Sequence, residues 1–225
     1  MLIEMSYPIS PDSPIFPGLP ADEFFPHTRM KNGDPSNTTM VRHFIHNGTH
    51  VDSPFHFYDK GQTIDQVAID SFMFSNPLVI DLNLLKGELI TINNLRNIGD
   101  PIHNSDILLF STGYYKYRQN KSKYTDDFPS LSKEAAEYIR CELGYVKAVA
   151  IDTLSIESSV KGPLNNFIVH KTLLDGNMFN ARPLLIFEDV NLAEIINKSI
   201  NRIFAFPIRF VGLDGSPVSI VAEVL

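Results

Sequence analysis

The chain has 225 residues, a formal net charge of −7, 44% hydrophobic residues and one cysteine, Cys141. This length fits one domain with a sizeable core, which we expect over residues 1–225. The charge disfavours nucleic acid and anionic membranes as partners, and no apolar run is long enough for a membrane span. A lone cysteine excludes an internal disulfide. Small molecules are the expected partners, and the lack of a secretory leader predicts a cytoplasmic location.

The first sixty residues are rich in proline, glycine, asparagine and aspartate, with short extended stretches such as TTMVRHFIH between turn signals. This pattern favours β structure over long helices. We interpret three histidines as structural. His27 and His103 lie in turn-rich segments, and His43 is odd-spaced from His46, so along a strand the two would face opposite ways.

Three histidines and one aspartate within the stretch HNGTHVDSPFHF are separated by even numbers of residues: His46, His50, Asp52 and His56. In an extended chain, such residues start on one face. At about 3.3 Å per residue, His50 and Asp52 are close enough to share an ion, whereas His46 needs a bend. The Asn47-Gly48 pair can supply that bend because both residues tolerate positive φ.

Imidazole and carboxylate groups are the ligands that Zn²⁺ takes, and they also suit manganese or iron less selectively. The alternative for any one of these histidines is a hydrogen-bonded residue of a polar loop. The set at this spacing predicts a divalent-metal site.

From about residue 76, short apolar runs alternate with helix-like segments. Each run predicts a buried strand: PLVIDL, ILLFS, VKAVAID, PLLIF, IFAFPIRF and PVSIVAEV. The segment SKEAAEYIRCEL predicts a helix with Ser132 as N-cap and Gly144 as its stop, and NLAEIINKSI predicts another after Asn191. The Asp214-Gly215 pair predicts a turn before the last strand. Together these elements predict a mixed α/β domain with a barrel-like sheet flanked by helices.

The motif HNGTHVDSPFH resembles the H-x-G-T-H-x-D-x-P-x-H signature of the putative cyclase family of metal-dependent hydrolases, which includes bacterial kynurenine formamidases and isatin hydrolases. The stretches ISPDSPIFPG, STG, IDTLSIE and GLDGSP occur in the order typical of that family. The resemblance implies a swivelling β/α-type fold with a central barrel-like mixed sheet. It also implies a homodimer or a higher homo-oligomer.

The resemblance implies metal ligands for up to two ions, with Asp52 able to bridge them: His46, His50, Asp52, His170 and Glu188. It implies that His56 is the catalytic acid/base. Phe16 stands where formamidases tend to carry a tryptophan that stacks on the substrate, so it is a candidate substrate-binding residue.

The later ligands have alternatives. Glu188 ends an apolar strand, where a buried carboxylate is costly unless it is paired or metal-bound, but it is also placed to cap a helix. His170 is alternatively a polar residue at a helix start. The spacing between the two exceeds that of typical formamidases, and GNMFNARP is expected to form an enlarged loop.

The expected function is hydrolysis of a small amide or formamide, with N-formylkynurenine as the best single substrate, by a metal-activated water and a histidine acid/base. We expect one or two zinc ions, with manganese as the alternative. A second hypothesis is an isatin-type lactam hydrolase, and a third is a metal- or small-molecule-binding protein without turnover. The sequence contains neither a nucleophile elbow nor a dinucleotide fingerprint, so water is the expected nucleophile and no organic cofactor is indicated.

Overall fold

A computed structural model describes residues 1–225. The strands, numbered in chain order, are β1 (Leu2–Glu4), β2 (Glu23–Thr28), β3 (Thr38–Arg42), β4 (His50–Asp52), β5 (Met73–Phe74), β6 (Pro77–Asp81), β7 (Leu89–Ile90), β8 (Ile107–Ser111), β9 (Ser130–Leu131), β10 (Ala148–Ile151), β11 (Leu185–Glu188), β12 (Ile200–Pro207) and β13 (Gly215–Val224). The α-helices are α1 (Ile92–Arg96), α2 (Lys121–Tyr124), α3 (Lys133–Glu142), α4 (Lys161–Leu164) and α5 (Ile168–Leu174). None of these helices has the length and apolar character that a membrane span requires.

One mixed sheet contains nine of the strands, in the order β5-β12-β13-β4-β11-β10-β8-β6, with β1 added on β13. Strands β6, β8, β10 and β11 run parallel, whereas β4 is antiparallel to both of its neighbours. Strand β12 also contacts β6 at the far end of the sheet. The sheet is therefore nearly closed, which confirms the expected barrel-like mixed α/β architecture.

The parallel strands carry apolar side chains on both faces. Leu109 and Ala150 belong to the core inside the barrel, whereas their neighbours Leu108 and Val149 belong to a second core that includes residues of α3 and α5. Strands buried on both sides have continuous apolar sequences instead of alternating ones. The six strand predictions made from apolar runs are confirmed.

Helix α3 is confirmed where it was predicted, since the Ser132 hydroxyl accepts a hydrogen bond from the Ala135 backbone N–H at 3.1 Å. The helix predicted after Asn191 is wrong. That segment forms turns, in which the Ile195 N–H donates to the Leu192 carbonyl. Leu192 and Ile195 both belong to the barrel core. Tight turns in the short connection between β11 and β12 direct the two side chains into that core.

Strands β2 and β3 form a separate two-stranded hairpin that is almost wholly exposed. Phe24 pairs with Val41, and the next residue, Phe25, pairs with Met40. Because successive residues of a strand face opposite ways, the hairpin presents apolar side chains on both of its faces.

Candidate functional site

The histidine motif folds as a bend followed by the short strand β4. Gly48 has a φ of +68°, so the predicted bend lies at that residue. It brings the imidazole of His46 to within 5.1 Å of the imidazole of His50, measured between ring centroids. The Nδ1 atom of His50 lies 2.8 Å from the Gly48 carbonyl oxygen. Nδ1 therefore carries the proton, which leaves Nε2 free to bind a cation.

Strand β4 lies between β11 and β13, and its register sets the next contacts. His50 is opposite Glu188 on β11, with its Nε2 atom 3.4 Å from Glu188 Oε2. The same nitrogen is 3.3 Å from Asp52 Oδ1, and Asp52 Oδ1 is 2.8 Å from His46 Nδ1. The three residues predicted from local spacing thus converge with one predicted from the resemblance.

His170 reaches the same point from helix α5. Its Nε2 atom lies 3.3 Å from Glu188 Oε1 and 3.8 Å from Asp52 Oδ2, and its Nδ1 atom lies 2.6 Å from Glu157 Oε2. The helix begins after Phe167, which has a φ of +50°. This left-handed conformation is costly for a bulky residue and is typical of functional sites.

The long connection between His170 and Glu188 does not separate them, because it is anchored outside the site. Arg140, buried on α3, donates hydrogen bonds to four carbonyl oxygens of the helix end and the loop: those of Thr172, Leu173, Asp175 and Ala181. The chain then returns to β11 with Glu188 facing His170.

Two buried atoms of the cluster have no hydrogen-bond partner in the protein, His50 Nε2 and Asp52 Oδ2. Unpaired buried polar atoms are costly, and metal binding is one established reason for them. Two groups have donor atoms within 4.8 Å of one another, one formed by His46, Asp52 and His56 and the other by His50, Asp52 and Glu188. Imidazole nitrogens and carboxylate oxygens are the donors that zinc takes. The residues present therefore fit one or two divalent ions that share Asp52.

Protonated imidazoles balance the buried carboxylates when no cation does so. Burial lowers the pKa of His170, but hydrogen bonds to Glu157 and Glu188 outweigh it and raise the pKa to about 10. Burial and the charge of Asp52 raise the pKa of Glu188, yet the imidazoles of His170 and His50, with nitrogens 3.3 Å and 3.4 Å from its carboxylate oxygens, bring it down to about 2. Metal binding would replace these protons and release them.

A pocket of about 240 Å³ opens beside the cluster. Its apolar lining consists of Phe16, Leu19, Phe44, Phe57, Leu154 and Phe167, and its polar lining includes His46, His56, His170 and Glu188. Phe16 also packs edge-on against Phe128, with centroids 6.2 Å apart, so it belongs to both the pocket wall and a small core. No lysine or arginine lines the pocket.

Two carboxylates of the site were missed by the sequence analysis. Asp214 Oδ2 lies 2.7 Å from His46 Nε2 and 3.2 Å from His56 Nδ1, and Glu157 holds His170. The predicted turn between β12 and β13 is present within VGLDGS, but it lies at Val211 and Gly212 and not at the Asp-Gly pair, because the positive φ is that of Gly212 and β13 begins directly after Asp214. Asp214 lies in the stretch GLDGSP and Glu157 in IDTLSIE. The presence of an acidic residue in a motif typical of the family was the signal in the sequence that could have identified them.

The remaining histidines do not join the cluster. His43 Nδ1 lies 3.0 Å from Asp22 Oδ2, His27 is exposed on β2, and His103 is exposed in a 3₁₀ turn.

Comparisons with known proteins show which family this chain resembles in sequence and in fold. A sequence profile of the family described as "Putative cyclase" matches residues 3–158. Kynurenine formamidase of Bacillus mycoides is 24% identical over 97% of this chain and 95% of its own length. Cyclase-like protein 2 of Arabidopsis thaliana is also 24% identical, over 84% of this chain and 66% of that protein. Isatin hydrolase A from Ralstonia solanacearum shares the fold with a TM-score of 0.82, at 18% identity, covering 99% of this chain and 91% of its own. Because the matching profile spans most of the chain and includes the histidine motif, this chain belongs to the putative cyclase family.

Proposed function

We propose that this chain is a metal-dependent hydrolase of small amides whose acyl or amine part is aromatic. The observation that carries the proposal is the convergence of five imidazole and carboxylate side chains beside an aromatic pocket, with two of their buried atoms unpaired: His46, His50, Asp52, His170 and Glu188.

We infer that the ion is zinc, with manganese as the alternative, since nitrogen and oxygen donors suit both. A divalent ion held here supplies a water of lowered pKa and polarises the amide carbonyl. A second ion is supported by His170, whose Nε2 atom lies 3.3 Å from Glu188 Oε1 and 3.8 Å from Asp52 Oδ2, beside the donor group of His50, Asp52 and Glu188. Elemental analysis of the loaded protein gives the stoichiometry, and a His170→Ala variant is expected to lose one of two ions.

His56 is proposed as the acid/base that accepts a proton from the attacking water and returns it to the departing nitrogen. Its side chain is one quarter exposed and lines the pocket, so a substrate in the pocket can contact it. Phe16, Phe57 and Phe167 are proposed to hold the aromatic ring and to exclude water from the reacting bond.

The first substrate to test is N-formylkynurenine, because kynurenine formamidases match nearly the whole chain. Turnover would place the enzyme in tryptophan catabolism. Isatin is the second candidate, and a specific feature favours it: a pocket without lysine or arginine suits a neutral ring better than a substrate that carries a carboxylate.

The test of this function compares His56→Ala with His103→Ala, an exposed histidine away from the cluster. With zinc-loaded and manganese-loaded protein, we expect His56→Ala to lower kcat by about 100-fold or more, with unchanged metal content, and His103→Ala to leave both unchanged. Full activity in His56→Ala would refute the acid/base role, and loss of metal from that variant would make His56 a ligand instead.

A protein that binds metal but hydrolyses no member of an amide, lactam and ester panel would support the binding-protein hypothesis instead.

We also infer that the protein forms a homodimer. The support is the hairpin of β2 and β3, which exposes Phe24 and Val41 on one face and Phe25 and Met40 on the other. Large apolar patches of this kind mark protein interfaces.

A further inference from the structure

The main chain at Asp214 is fixed to the histidine motif by the pairing of β13 with β4. Gly215 is the register partner of Asp52. The Asp214 carbonyl accepts hydrogen bonds from both the backbone N–H and the hydroxyl of Ser53, each at 2.9 Å. The position of Asp214 is therefore set by the same segment that carries the candidate ligands.

Gly215 is required for this close approach. A Cβ atom at that position would lie 2.6 Å from the Val51 carbonyl oxygen and 3.0 Å from Cε1 of His46. Any larger residue would push the strand away from β4. The Asp214-Gly215 pair thus serves strand contact at the site, which explains why it does not form the turn.

The carboxylate of Asp214 contacts two imidazoles through one oxygen. Oδ2 lies 2.7 Å from His46 Nε2 and 3.2 Å from His56 Nδ1, and the two rings stack with centroids 4.0 Å apart. Asp214 is the only hydrogen-bond partner of the His56 side chain, which otherwise contacts rings, stacking on His46 and meeting the edge of Phe57 at 4.6 Å between centroids. Without the carboxylate, nothing in the protein would fix which nitrogen of His56 carries the proton.

We propose that Asp214 is a positioning residue that holds the Nδ1 edge of His56, so that the Nε2 atom is presented to the substrate. The proposal rests on the proposed acid/base role of His56. The hydrogen bonds from Ser53 fix the main chain of Asp214, and the contact with His46 holds its carboxylate in place. A carboxylate that fixes the tautomer of a working histidine is a recurrent catalytic arrangement.

The first test does not depend on turnover. In zinc-loaded protein with ¹⁵N-labelled histidine, two-bond ¹H–¹⁵N spectra should show His56 protonated at Nδ1, with the resonance assigned from its loss in His56→Ala. Asp214→Ala should shift the proton toward Nε2, whereas Asp12→Ala, which removes an exposed carboxylate, should leave the spectrum unchanged. A wild-type His56 protonated at Nε2 alone, or no change in Asp214→Ala, would overturn the proposal.

The second test separates positioning from other roles by a double-mutant cycle on whichever of N-formylkynurenine and isatin the wild type hydrolyses. We expect Asp214→Ala to lower kcat by about 10- to 100-fold with KM and zinc content nearly unchanged, and to have no further effect in the His56→Ala background. An equal loss in both backgrounds, or a loss of zinc, would show that Asp214 acts through another group. Wild-type turnover by His56→Ala would refute the acid/base role on which this proposal rests, while the spectra would still decide whether Asp214 holds Nδ1 of His56.

Discussion

His170 and Glu188 show at the scale of single residues how the cluster balances its charge. Each is buried, and each has a shifted pKa: Glu157 and then Glu188 raise the pKa of His170, and His170 lowers the pKa of Glu188. Their interaction therefore links the stability of the metal-free protein to pH. A group whose pKa differs between the folded and the unfolded state makes the free energy of unfolding depend on pH.

We expect metal-free protein to be most stable between about pH 4.5 and 6.5. His170, with its pKa raised from 6.5 to about 10, stabilises the fold fully below pH 6.5, and this contribution is lost as the pH rises to 10. Glu188, with its pKa lowered from 4.5 to about 2, stabilises the fold above pH 4.5, and this contribution is lost as the pH falls to 2. Thermal unfolding across this range measures both limbs.

Zinc should reverse the loss of stability at alkaline pH, because the ion binds neutral imidazole. The stability that zinc confers therefore grows as the imidazole loses its proton. A melting temperature of metal-free protein that stays flat from neutral pH to pH 10 would contradict the assignment of the pKa shift to His170.

Local spacing made part of the site predictable at this scale. His46, His50 and Asp52 lie within seven residues, and their even spacing with a glycine bend was enough to bring them together. Asp214 is 158 residues from His56, and their contact depends on the pairing of β13 with β4. No local pattern specifies that pairing, so the acid was interpreted as a turn residue.

At the scale of elements, one buried side chain of helix α3 anchors the end of α5 and the loop that follows it. Arg140 donates to four carbonyl oxygens at the end of α5 and in the following loop. Its guanidinium satisfies the carbonyls of Thr172 and Leu173 in buried hydrogen bonds and those of Asp175 and Ala181 in half-buried ones. The loop it anchors leads into β11 and Glu188.

We expect Arg140→Met to lower the free energy of unfolding by about 3–5 kcal/mol, because several buried carbonyls lose their donor. Arg140→Lys should recover only part of this, since an ammonium cannot reproduce the planar fork. Lys133→Met, on the exposed side of the same helix, should cost about 0.5 kcal/mol or less. Urea unfolding measures all three, and equal effects of Arg140→Met and Lys133→Met would contradict this account.

Sequence patterns predicted the strands better than the connections between them. Runs such as ILLFS are apolar throughout because both faces of the sheet are covered, and this pattern has few alternatives. The segment NLAEIINKSI has a helical period as well, but its short span between β11 and β12 forces turns. Tertiary constraints of this kind override local propensity and leave no trace in the segment itself.

At the scale of the whole molecule, the hairpin of β2 and β3 stands apart from the two cores. A two-stranded hairpin is only marginally stable in water unless another surface covers it. Phe25 is 44% exposed and Val41 is 59% exposed, and the two residues lie on opposite faces of the hairpin. The rest of the same chain therefore cannot cover both faces, and a second chain is needed to cover one of them.

We expect the wild-type protein to be a dimer by light scattering, and a Phe25→Ser, Met40→Ser variant to shift toward monomer at the same concentration. Leu85→Ser, which removes an exposed apolar side chain outside the hairpin, should leave the mass unchanged. A monomeric wild type at micromolar concentration, or a double variant that remains dimeric, would exclude the hairpin as the interface.

The expectation of one domain over residues 1–225 stays a prediction, and we propose it on the ground that the two cores lie on opposite faces of the same strands. Cooperative loss of both cores in a single unfolding transition would support it.

Strand β4 has a further consequence for how this chain can vary. His50 and Asp52 face the cluster, while Val51 between them faces the barrel core. Losing or gaining one residue between Gly48 and Pro54 would exchange these faces, moving an isopropyl group among the carboxylates and an imidazole into the apolar interior. Changes in neighbouring residues can compensate for a substitution in this segment, but they cannot compensate for an insertion or a deletion. The number of residues in this segment is therefore as strictly constrained as their chemistry.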